Sequence, residues 1–259
     1  MKINFYKYQG TGNDFIIIDN RKKIFPKKNS AVINKLCDRK FGVGADGLML
    51  LENSVDHDFK MVYYNADGNL GSMCGNGGRC IVAFAHKLGI INKKTTFEAI
   101  DKLYFANIEN QLVSLKMNDI DHIETYPDHI FLDTGSPHHV TFEEEISKID
   151  VFSKGKAIRN GSPYFNEGTN VNFVEQINAD TFKVRTYERG VENETLSCGT
   201  GVTAVAIASH KSKKSNSNTI KLQTPGGDLE VSFENEMNIY KHIVLKGPAT
   251  FVFKGEIEV

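Results

Sequence analysis

Two copies of one short phrase, Cys-Gly-x-Gly, constrain this chain more than any other feature of its sequence. The first copy begins at Cys74 and the second at Cys198, and small and apolar residues follow each of them. Such a run predicts a buried helix with the cysteine at its N-terminus, where unpaired backbone N–H groups and the helix dipole stabilise a thiolate. One such cysteine indicates a reactive thiol. Two in matching contexts predict a duplicated unit with both thiols facing one site.

The duplication extends beyond the two cysteines. Residues Gly10–Phe15 resemble Gly168–Phe173, and in both halves a strand pattern runs into a polar turn before the thiol. Short strands punctuated by Gly, Asn and Asp predict an α/β (α+β) fold of two pseudo-symmetric domains that meet at a cleft. Cys37 and Cys80 lack the surrounding glycine turn, so we expect them to be small buried hydrophobic residues.

Composition limits the kinds of protein that this chain can be. Its 259 residues fit two domains, and 40% hydrophobic with 24% charged residues is typical of a globular protein. The formal net charge of −1 leaves no basic excess, so we expect no nucleic-acid partner. No apolar run is long enough to span a bilayer, and the N-terminus lacks the apolar core of a signal peptide. The expected location is cytoplasmic, with reduced cysteines and no membrane partner.

The paired thiols indicate a reaction at the α-carbon of an amino acid. Two helix N-termini that point at one cleft form an anion site, because the N–H groups of residues 75–76 and 199–200 converge there. We expect one thiolate to remove the α-proton while the opposite thiol delivers a proton to the other face. The N–H groups would stabilise the negative charge that the bound α-carboxylate gains. Cysteine suits both roles because the helix end tunes its pKa toward the working pH.

Neither a cofactor nor a metal is expected. The segment Gly42–Gly47 matches the dinucleotide fingerprint Gly-x-Gly-x-x-Gly, but a helix pattern precedes it and a strand pattern follows it. The fingerprint needs the opposite order, so we interpret the segment as a helix stop and a turn. The cysteine spacings contain no Cys-x-x-Cys pair that would indicate a zinc ribbon. Residue types alone leave the roles of His138, Glu188 and Arg189 open.

An ordered set of segments resembles the diaminopimelate epimerase family over nearly the whole chain. These segments are Gly10–Phe15, Asn65–Gly68, Cys74–Cys80, Gly135–His138, Gly168–Phe173, Glu188–Gly190 and Cys198–Gly201. Each segment alone is weak evidence, whereas the ordered set is highly specific. Members of the family are cofactor-independent amino-acid epimerases of the lysine and peptidoglycan pathways, which interconvert the LL and meso forms of diaminopimelate.

The resemblance implies a role for each matching residue. Cys74 and Cys198 would be the acid/base thiols, the first as proton donor and the second as acceptor in one direction. His138 would pair with Cys74, and Glu188 with Cys198. Substrate-binding groups would come from Asn13, Asn65, Gly75, Asn76, Asn170, Glu188, Arg189, Gly199 and Thr200. In that set, Arg189 suits the distal carboxylate through a bidentate contact, and backbone N–H groups take the α-carboxylate.

The resemblance also implies an architecture. Each domain would be a curled, mostly antiparallel sheet around a central helix, with the active site in the cleft between the domains. The C-terminal strand returns to the first domain in this family. The first domain would then comprise residues 1–119 with 249–259, and the second residues 120–248. A homodimer is the expected assembly.

The chain departs from the family pattern in three places. Ser136 replaces a substrate-binding asparagine of some members, and Gly47 replaces a side-chain amide. One extra residue lies between Glu188 and Cys198, in the segment 191–194. We expect these departures to affect substrate contacts and the loop around the second thiol.

Two alternatives stay open from the sequence. A proline or hydroxyproline racemase on the same fold usually carries Cys-Gly-His-Gly at the first thiol, so Asn76 favours the epimerase. Arg189 favours it too, because a ligand without a second carboxylate does not need that charge. The other alternative is a non-catalytic binder or redox sensor built on the two thiols.

Overall fold

The computed structural model describes residues 2–71, 73–100 and 102–258. The chain divides into two compact units, Met1–Leu115 with Gly247–Val259, and Lys116–Lys246. Residues 1 and 259, the outer ends of the predicted first domain, lie outside the described residues. No helix in the described part of the chain is long and apolar enough to cross a membrane.

The first unit is a mixed sheet with two helices, α1 (Ser30–Cys37) and α2 (Gly75–Lys87). Its strands, numbered along the chain, are β1 (Lys2–Gly10), β2 (Asn13–Asp19), β3 (Gly47–Glu52), β4 (Phe59–Asn65), β5 (Lys94–Ala99), β6 (Lys102–Glu109), β7 (Leu112–Lys116) and β17 (Thr250–Glu258). They lie in the order β17-β1-β2-β3-β4-β5-β6-β7, with parallel neighbours at β2–β3 and β4–β5 and antiparallel neighbours elsewhere.

The second unit has helices α3 (Val151–Asn160) and α4 (Gly199–Lys211), and a short 3₁₀ turn at Ile146–Lys148. Its strands are β8 (Ile123–Thr125), β9 (Ile130–Asp133), β10 (Pro137–Phe142), β11 (Asn170–Gln176), β12 (Thr181–Glu188), β13 (Asn193–Thr195), β14 (Thr219–Thr224), β15 (Gly227–Glu236) and β16 (Ile239–Pro248). The order is β8-β9-β10-β11-β12-β14-β15-β16, with parallel neighbours at β10–β11 and β12–β14. Strand β13 pairs with the end of β12.

The two units repeat one topology. From one edge of each sheet to the other, antiparallel and parallel neighbours follow in the same succession. Helices α1 and α3 connect the strands of the first parallel pair, while α2 and α4 connect those of the second. Parallel strands need a crossover connection, which explains why a helix occurs at these positions. The prediction of a mixed α/β fold with an internal repeat is confirmed.

The helix that follows each thiol forms the centre of its unit. Helix α2 packs against β1, β2, β3, β6 and β17, and α4 packs against β9, β10, β11, β12, β14 and β15. The α4 side chains from Val202 to Ala208 are buried, so the helix is enclosed on all sides. Such a helix cannot shift without disturbing the sheet around it. Its N-terminus is therefore a rigid platform for the cysteine that precedes it.

Candidate active site

Cys74 is the N-cap residue of α2, with extended backbone angles of φ −102° and ψ 125°. The first intrahelical hydrogen bond runs from Gly78 N to Cys74 O at 2.7 Å, so the helix offers no carbonyl to the N–H groups of Gly75 and Asn76. The prediction that the first cysteine lies at the N-terminus of a buried helix is confirmed.

Asn13 is brought to this helix end by the turn between β1 and β2. Its Nδ2 donates to Asp46 Oδ2 at 2.6 Å, which directs Oδ1 the other way. Oδ1 then lies 3.5 Å from Cys74 Sγ and 3.4 Å from Asn76 Nδ2. The structure therefore brings together Asn13, Cys74, Gly75 and Asn76, all predicted from the sequence. Asp46, which orients Asn13, was not predicted as a site residue.

Arg79 is a buried cation in the first turns of α2, and its role was not predicted. Its side chain has no exposed surface, and Nη1 donates to Gly75 O at 3.2 Å. Nη2 donates to Asn76 Oδ1 at 3.0 Å and to Thr11 Oγ1 at 3.2 Å. No carboxylate among the described residues pairs with it; burial lowers the pKa of Arg79, while Cys80 and Cys74 act in the opposite direction. An arginine stays protonated nonetheless, so a positive charge lies near the Cys74 thiol.

Asn65 and Gly47 are two further positions in the first unit that the family pattern singled out. Asn65 is exposed at the end of β4, and its implied contact with substrate stays a prediction. At Gly47 an added Cβ would lie 2.5 Å from the ring of Tyr63 and 2.7 Å from Tyr64 O. The Tyr63 ring therefore occupies the space that a larger residue would need. This packing gives a physical reason for glycine at that departure from the family pattern.

Cys198 is the N-cap residue of α4, with φ −124° and ψ 116°, and it is 8% exposed. The first intrahelical bond runs from Val202 N to Cys198 O at 2.9 Å, so the helix leaves the N–H groups of Gly199 and Thr200 without a carbonyl of its own. Gly201 is required by close approach, because an added Cβ would lie 2.6 Å from Asn172 Oδ1. The prediction for the second cysteine is confirmed in the same terms as for the first.

His138 lies on β10 with no exposed surface. Its Nε2 is 2.9 Å from Thr200 Oγ1 and 3.2 Å from Ser136 Oγ, and its Nδ1 is 3.1 Å from Asn172 Nδ2. Burial, reinforced by the charge of Arg189, lowers the pKa of His138 to about 3. The imidazole is therefore neutral at physiological pH. Its implied pairing with Cys74 stays a prediction.

Asn170 holds the segment around His138 to the start of the Arg189 turn. Its Nδ2 donates to Ser136 Oγ and to Pro137 O, both at 2.9 Å, and its Oδ1 accepts from Arg189 N at 2.9 Å. The side chain is 3% exposed. Both amide hydrogens are thus used inside the protein, while the hydroxyl of Ser136 occupies a place beside His138. A direct contact of Asn170 with substrate stays a prediction.

Glu188 ends β12, and a tight hairpin to β13 follows it. Glu192 N donates to Glu188 O at 2.8 Å, and Glu188 pairs in register with Asn193. The Glu192 carboxylate accepts from Arg159 Nε and from Gly190 N, both at 3.0 Å. The extra residue of segment 191–194 is therefore absorbed by an ordered hairpin. Glu188 is half-buried; its implied pairing with Cys198 stays a prediction.

The other two cysteines have a structural role. Cys37 is 3% exposed and Cys80 has no exposed surface, as expected for small hydrophobic residues. Burial raises the pKa of each thiol to about 12, so neither forms a thiolate near neutral pH. Among the described ranges, no group of three or more His, Cys, Asp or Glu side chains is arranged to hold a metal ion.

Acid should destabilise the second unit through two adjacent buried histidines. Burial lowers the pKa of His139 to about 4, and His138 has a pKa of about 3. Both titrate near 6.5 when unfolded, so the unfolded chain binds more protons and stability is lost as the pH falls below about 6.5. We expect unfolding in urea at pH 5 to need about 4 kcal/mol less than at pH 7, at about 1.4 kcal/mol per pH unit for each histidine. In a His139→Gln variant, the difference in unfolding free energy between pH 7 and pH 5 should be about half as large. An unchanged difference would contradict the role of His139 in this acid sensitivity.

Comparisons with known proteins identify the family. The sequence profile of the family described as diaminopimelate epimerase matches residues 5–100 and 130–252. A diaminopimelate epimerase of Flavobacterium psychrophilum is 58% identical, with 98% of this chain and 100% of that protein covered. One of Chlorobaculum tepidum is 43% identical, over 96% of this chain and 98% of that protein.

Solved structures support the fold independently. A phenazine biosynthesis protein of the PhzF family from Bacillus anthracis superposes with a TM-score of 0.80 at 12% identity, over all of both chains. A hydroxyproline epimerase from Agrobacterium vitis superposes with a TM-score of 0.69 at 11% identity, over 99% of this chain and 92% of the other. At such low identity these likenesses concern the fold alone. The sequence matches, at 58% and 43% identity over nearly the whole chain, show the family as well. The chain belongs to the diaminopimelate epimerase family.

Proposed function

We propose that this chain is an isomerase that interconverts LL- and meso-2,6-diaminopimelate, in the biosynthesis of lysine and of peptidoglycan precursors. The observation that carries the proposal is the 58% identity to a diaminopimelate epimerase over nearly the full length of both chains. The geometry adds support, because each of two cysteines is the N-cap residue of a buried helix, and the first carbonyl used inside each helix is that of the cysteine.

The proposed reaction needs no group beyond the chain itself. One thiolate, of Cys74 or Cys198, takes the α-proton, and the other thiol protonates the opposite face of the same carbon. The roles exchange in the reverse direction, with Cys74 as donor and Cys198 as acceptor in one of them. The carbanion's charge spreads onto the α-carboxylate, where N–H groups of Gly75, Asn76, Gly199 and Thr200 stabilise it. His138 and Glu188 are the proposed partners of the two thiols.

The units found in the structure support a proposed division of labour. We assign residues 1–119 with 249–259 to a domain that carries Cys74, and residues 120–248 to one that carries Cys198. The side chains of Asn13, Asn65, Asn170, Glu188 and Arg189 are the proposed substrate contacts. A cytoplasmic homodimer without nucleic-acid or membrane partners is the proposed working form, in line with the net charge of −1. Sedimentation at working concentration tests the dimer.

Arg189 is proposed to hold the distal carboxylate. It follows β12 directly, and its Nη1 donates to Glu167 O at 3.0 Å, which leaves the other guanidinium nitrogens for a planar anion. An Arg189→Ala variant should raise KM for diaminopimelate by about 100-fold, because a charged hydrogen-bonded contact contributes about 3 kcal/mol. The kcat should change much less, since this contact is the same before and during proton removal. A loss confined to kcat, with unchanged KM, would contradict this role.

Isotope exchange tests the function directly. The reduced protein is incubated with LL-diaminopimelate in D₂O, with a chelator present and no cofactor added. Formation of the meso isomer with deuterium at one α-carbon is the expected result. Exchange with proline or hydroxyproline, but not with diaminopimelate, would assign the chain to a racemase instead. No exchange with any of these amino acids would favour a non-catalytic thiol protein.

A further inference from the structure

A run of hydrogen-bonded side chains ends at the second thiol. It begins at Asn172 on β11, passes through His138 on β10, and continues through the hydroxyl of Thr200 in the first turn of α4. Thr200 Oγ1 lies 3.4 Å from Cys198 Sγ, a normal distance for a hydrogen bond to sulfur. All four residues belong to the second unit.

Asn172 determines the direction of this run. Its Nδ2 lies 3.1 Å from His139 O, and a backbone carbonyl can only accept, so that atom is the amide nitrogen. Its Oδ1 accepts from Thr186 Oγ1 at 3.0 Å, which agrees with the same orientation. The second hydrogen of Nδ2 is therefore donated to His138 Nδ1. An imidazole nitrogen that accepts a hydrogen bond carries no proton.

The tautomer of His138 follows from this contact. A neutral imidazole with a bare Nδ1 carries its proton on Nε2. Nε2 then donates to Thr200 Oγ1 at 2.9 Å, so the hydroxyl oxygen of Thr200 is an acceptor in that bond. The hydroxyl proton of Thr200 must point elsewhere. Its other neighbours are Cys198 Sγ at 3.4 Å, a normal distance for a sulfur acceptor, and Ser136 Oγ at 3.5 Å, which is longer than an ordinary O–H···O bond.

We propose that Thr200 donates its hydroxyl hydrogen to the Cys198 thiolate, and that Asn172 and His138 are positioning residues which fix this direction of donation. The family resemblance implied a role for Thr200 only through its backbone N–H group. The hydroxyl gives Cys198 a stabilising donor in addition to the helix N-terminus. The proposal deepens the proposed function, since it concerns one of the two thiols on which that function depends.

Charges on neighbouring elements do not replace this donor. The titratable side chains at the adjoining strand ends include Asp133 on β9, His138 on β10, and Glu188 followed by Arg189 at the end of β12. His138 is neutral at physiological pH because it is buried, and Arg189 disfavours its protonation further. A carboxylate such as that of Glu188 or Asp133 would disfavour a thiolate close to it. The Thr200 hydroxyl differs from these groups, because it is neutral and donates a hydrogen bond to Cys198 in a fixed direction.

Alkylation of the thiols tests the proposal without any substrate. The full chain is treated with iodoacetamide from about pH 6 to about pH 10, and the rate at each cysteine is measured by peptide mapping. Thr200→Val keeps the shape of the side chain but removes the hydroxyl. We expect it to raise the pH midpoint for Cys198 by about one unit, which is about tenfold slower alkylation below the midpoint. Thr200→Ser should restore the wild-type midpoint.

Internal controls separate this effect from a general disturbance. Cys74 in the same molecule should keep its midpoint in every variant. Thr203→Val removes another buried hydroxyl of α4, one that donates to Gly199 O at 2.9 Å, and should leave Cys198 unchanged. A wild-type midpoint in Thr200→Val, or an equal shift in Thr203→Val, would overturn the proposal. Failure of the epimerase assay would not affect these rates, so the two claims fail separately.

The tautomer of His138 can be read without a substitution at Thr200. In protein labelled with ¹⁵N-histidine, the nitrogen shifts distinguish a protonated ring nitrogen from a bare one, and His138→Gln identifies the signals. At neutral pH we expect a proton on Nε2 and none on Nδ1. A proton on Nδ1 would overturn the proposal, because Thr200 would then donate to His138 rather than to Cys198.

Discussion

Replacing either Cys74 or Cys198 with alanine is expected to reduce epimerisation of diaminopimelate by about 10³-fold or more. In the proposed reaction each thiol is the base in one direction and the acid in the other. Loss of one proton-transfer group costs about 10²–10⁴ in rate, and the carbanion cannot complete inversion without a donor on the second face. The measurement is the initial rate of isomer formation in D₂O, in both directions.

The buried cysteines are the matched controls. Cys80→Ala removes a thiol six residues after Cys74 that has no exposed surface and a pKa raised to about 12 by burial. This variant should keep most of its activity, with at most about 1–2 kcal/mol loss of stability from the small cavity. Substrate binding by the inactive Cys74→Ala and Cys198→Ala proteins should persist, as judged by calorimetry. Full activity in either of these two, or equal loss in Cys80→Ala, would contradict the assignment of the thiols.

Replacing Arg79 with methionine is expected to lower the free energy of unfolding by about 3 kcal/mol. Methionine fills a similar volume and relieves the cost of burying a charge. However, Gly75 O, Asn76 Oδ1 and Thr11 Oγ1 lose their donor. A buried hydrogen bond to a charged group contributes about 1.5–3 kcal/mol, so the loss of these bonds outweighs the relief of desolvation. Denaturant unfolding at neutral pH measures the difference.

Arg79→Met should also make the Cys74 thiol less acidic. The positive charge of Arg79 attracts a Cys74 thiolate and stabilises it, so removing the cation should raise the pKa of Cys74. Alkylation of Cys74 should then shift to higher pH, while that of Cys198 stays unchanged. Arg79→Lys keeps the positive charge but lacks the planar guanidinium group that donates these hydrogen bonds. It should therefore restore more of the thiol reactivity than of the stability. A methionine variant as stable as the wild type would contradict the proposed role of these hydrogen bonds.

The family resemblance identified most of the candidate side chains but not the contacts between them. Asn13 and Asn76 came from their motifs, and the structure brings both to Cys74. Asp46 and Asn172 were missed, although each lies beside a predicted residue in space and orients it. Asp46 lies inside the Gly42–Gly47 segment and Asn172 inside the Gly168–Phe173 segment, but neither position indicates a partner, because the turn that carries Asp46 and the strand that carries Asn172 meet their partners only through sheet pairing. For Arg79 a signal was present, since it lies inside the Cys74–Cys80 segment, but its burial could not be read from that position.

By itself, the sequence determined the repeat, the two helix N-termini and the cysteines that cap them. These are local properties, because a glycine-flanked cysteine before a small apolar run specifies its own helix start within a few residues. The tertiary structure alone decided which strands are parallel, which tautomer His138 carries, and which donor reaches Cys198. Those features depend on atoms far apart in the chain, such as Asn172 Nδ2 and His138 Nδ1 at 3.1 Å. A sequence pattern gives the types of the residues, whereas the direction of a hydrogen bond is fixed only when every neighbouring donor and acceptor is in place.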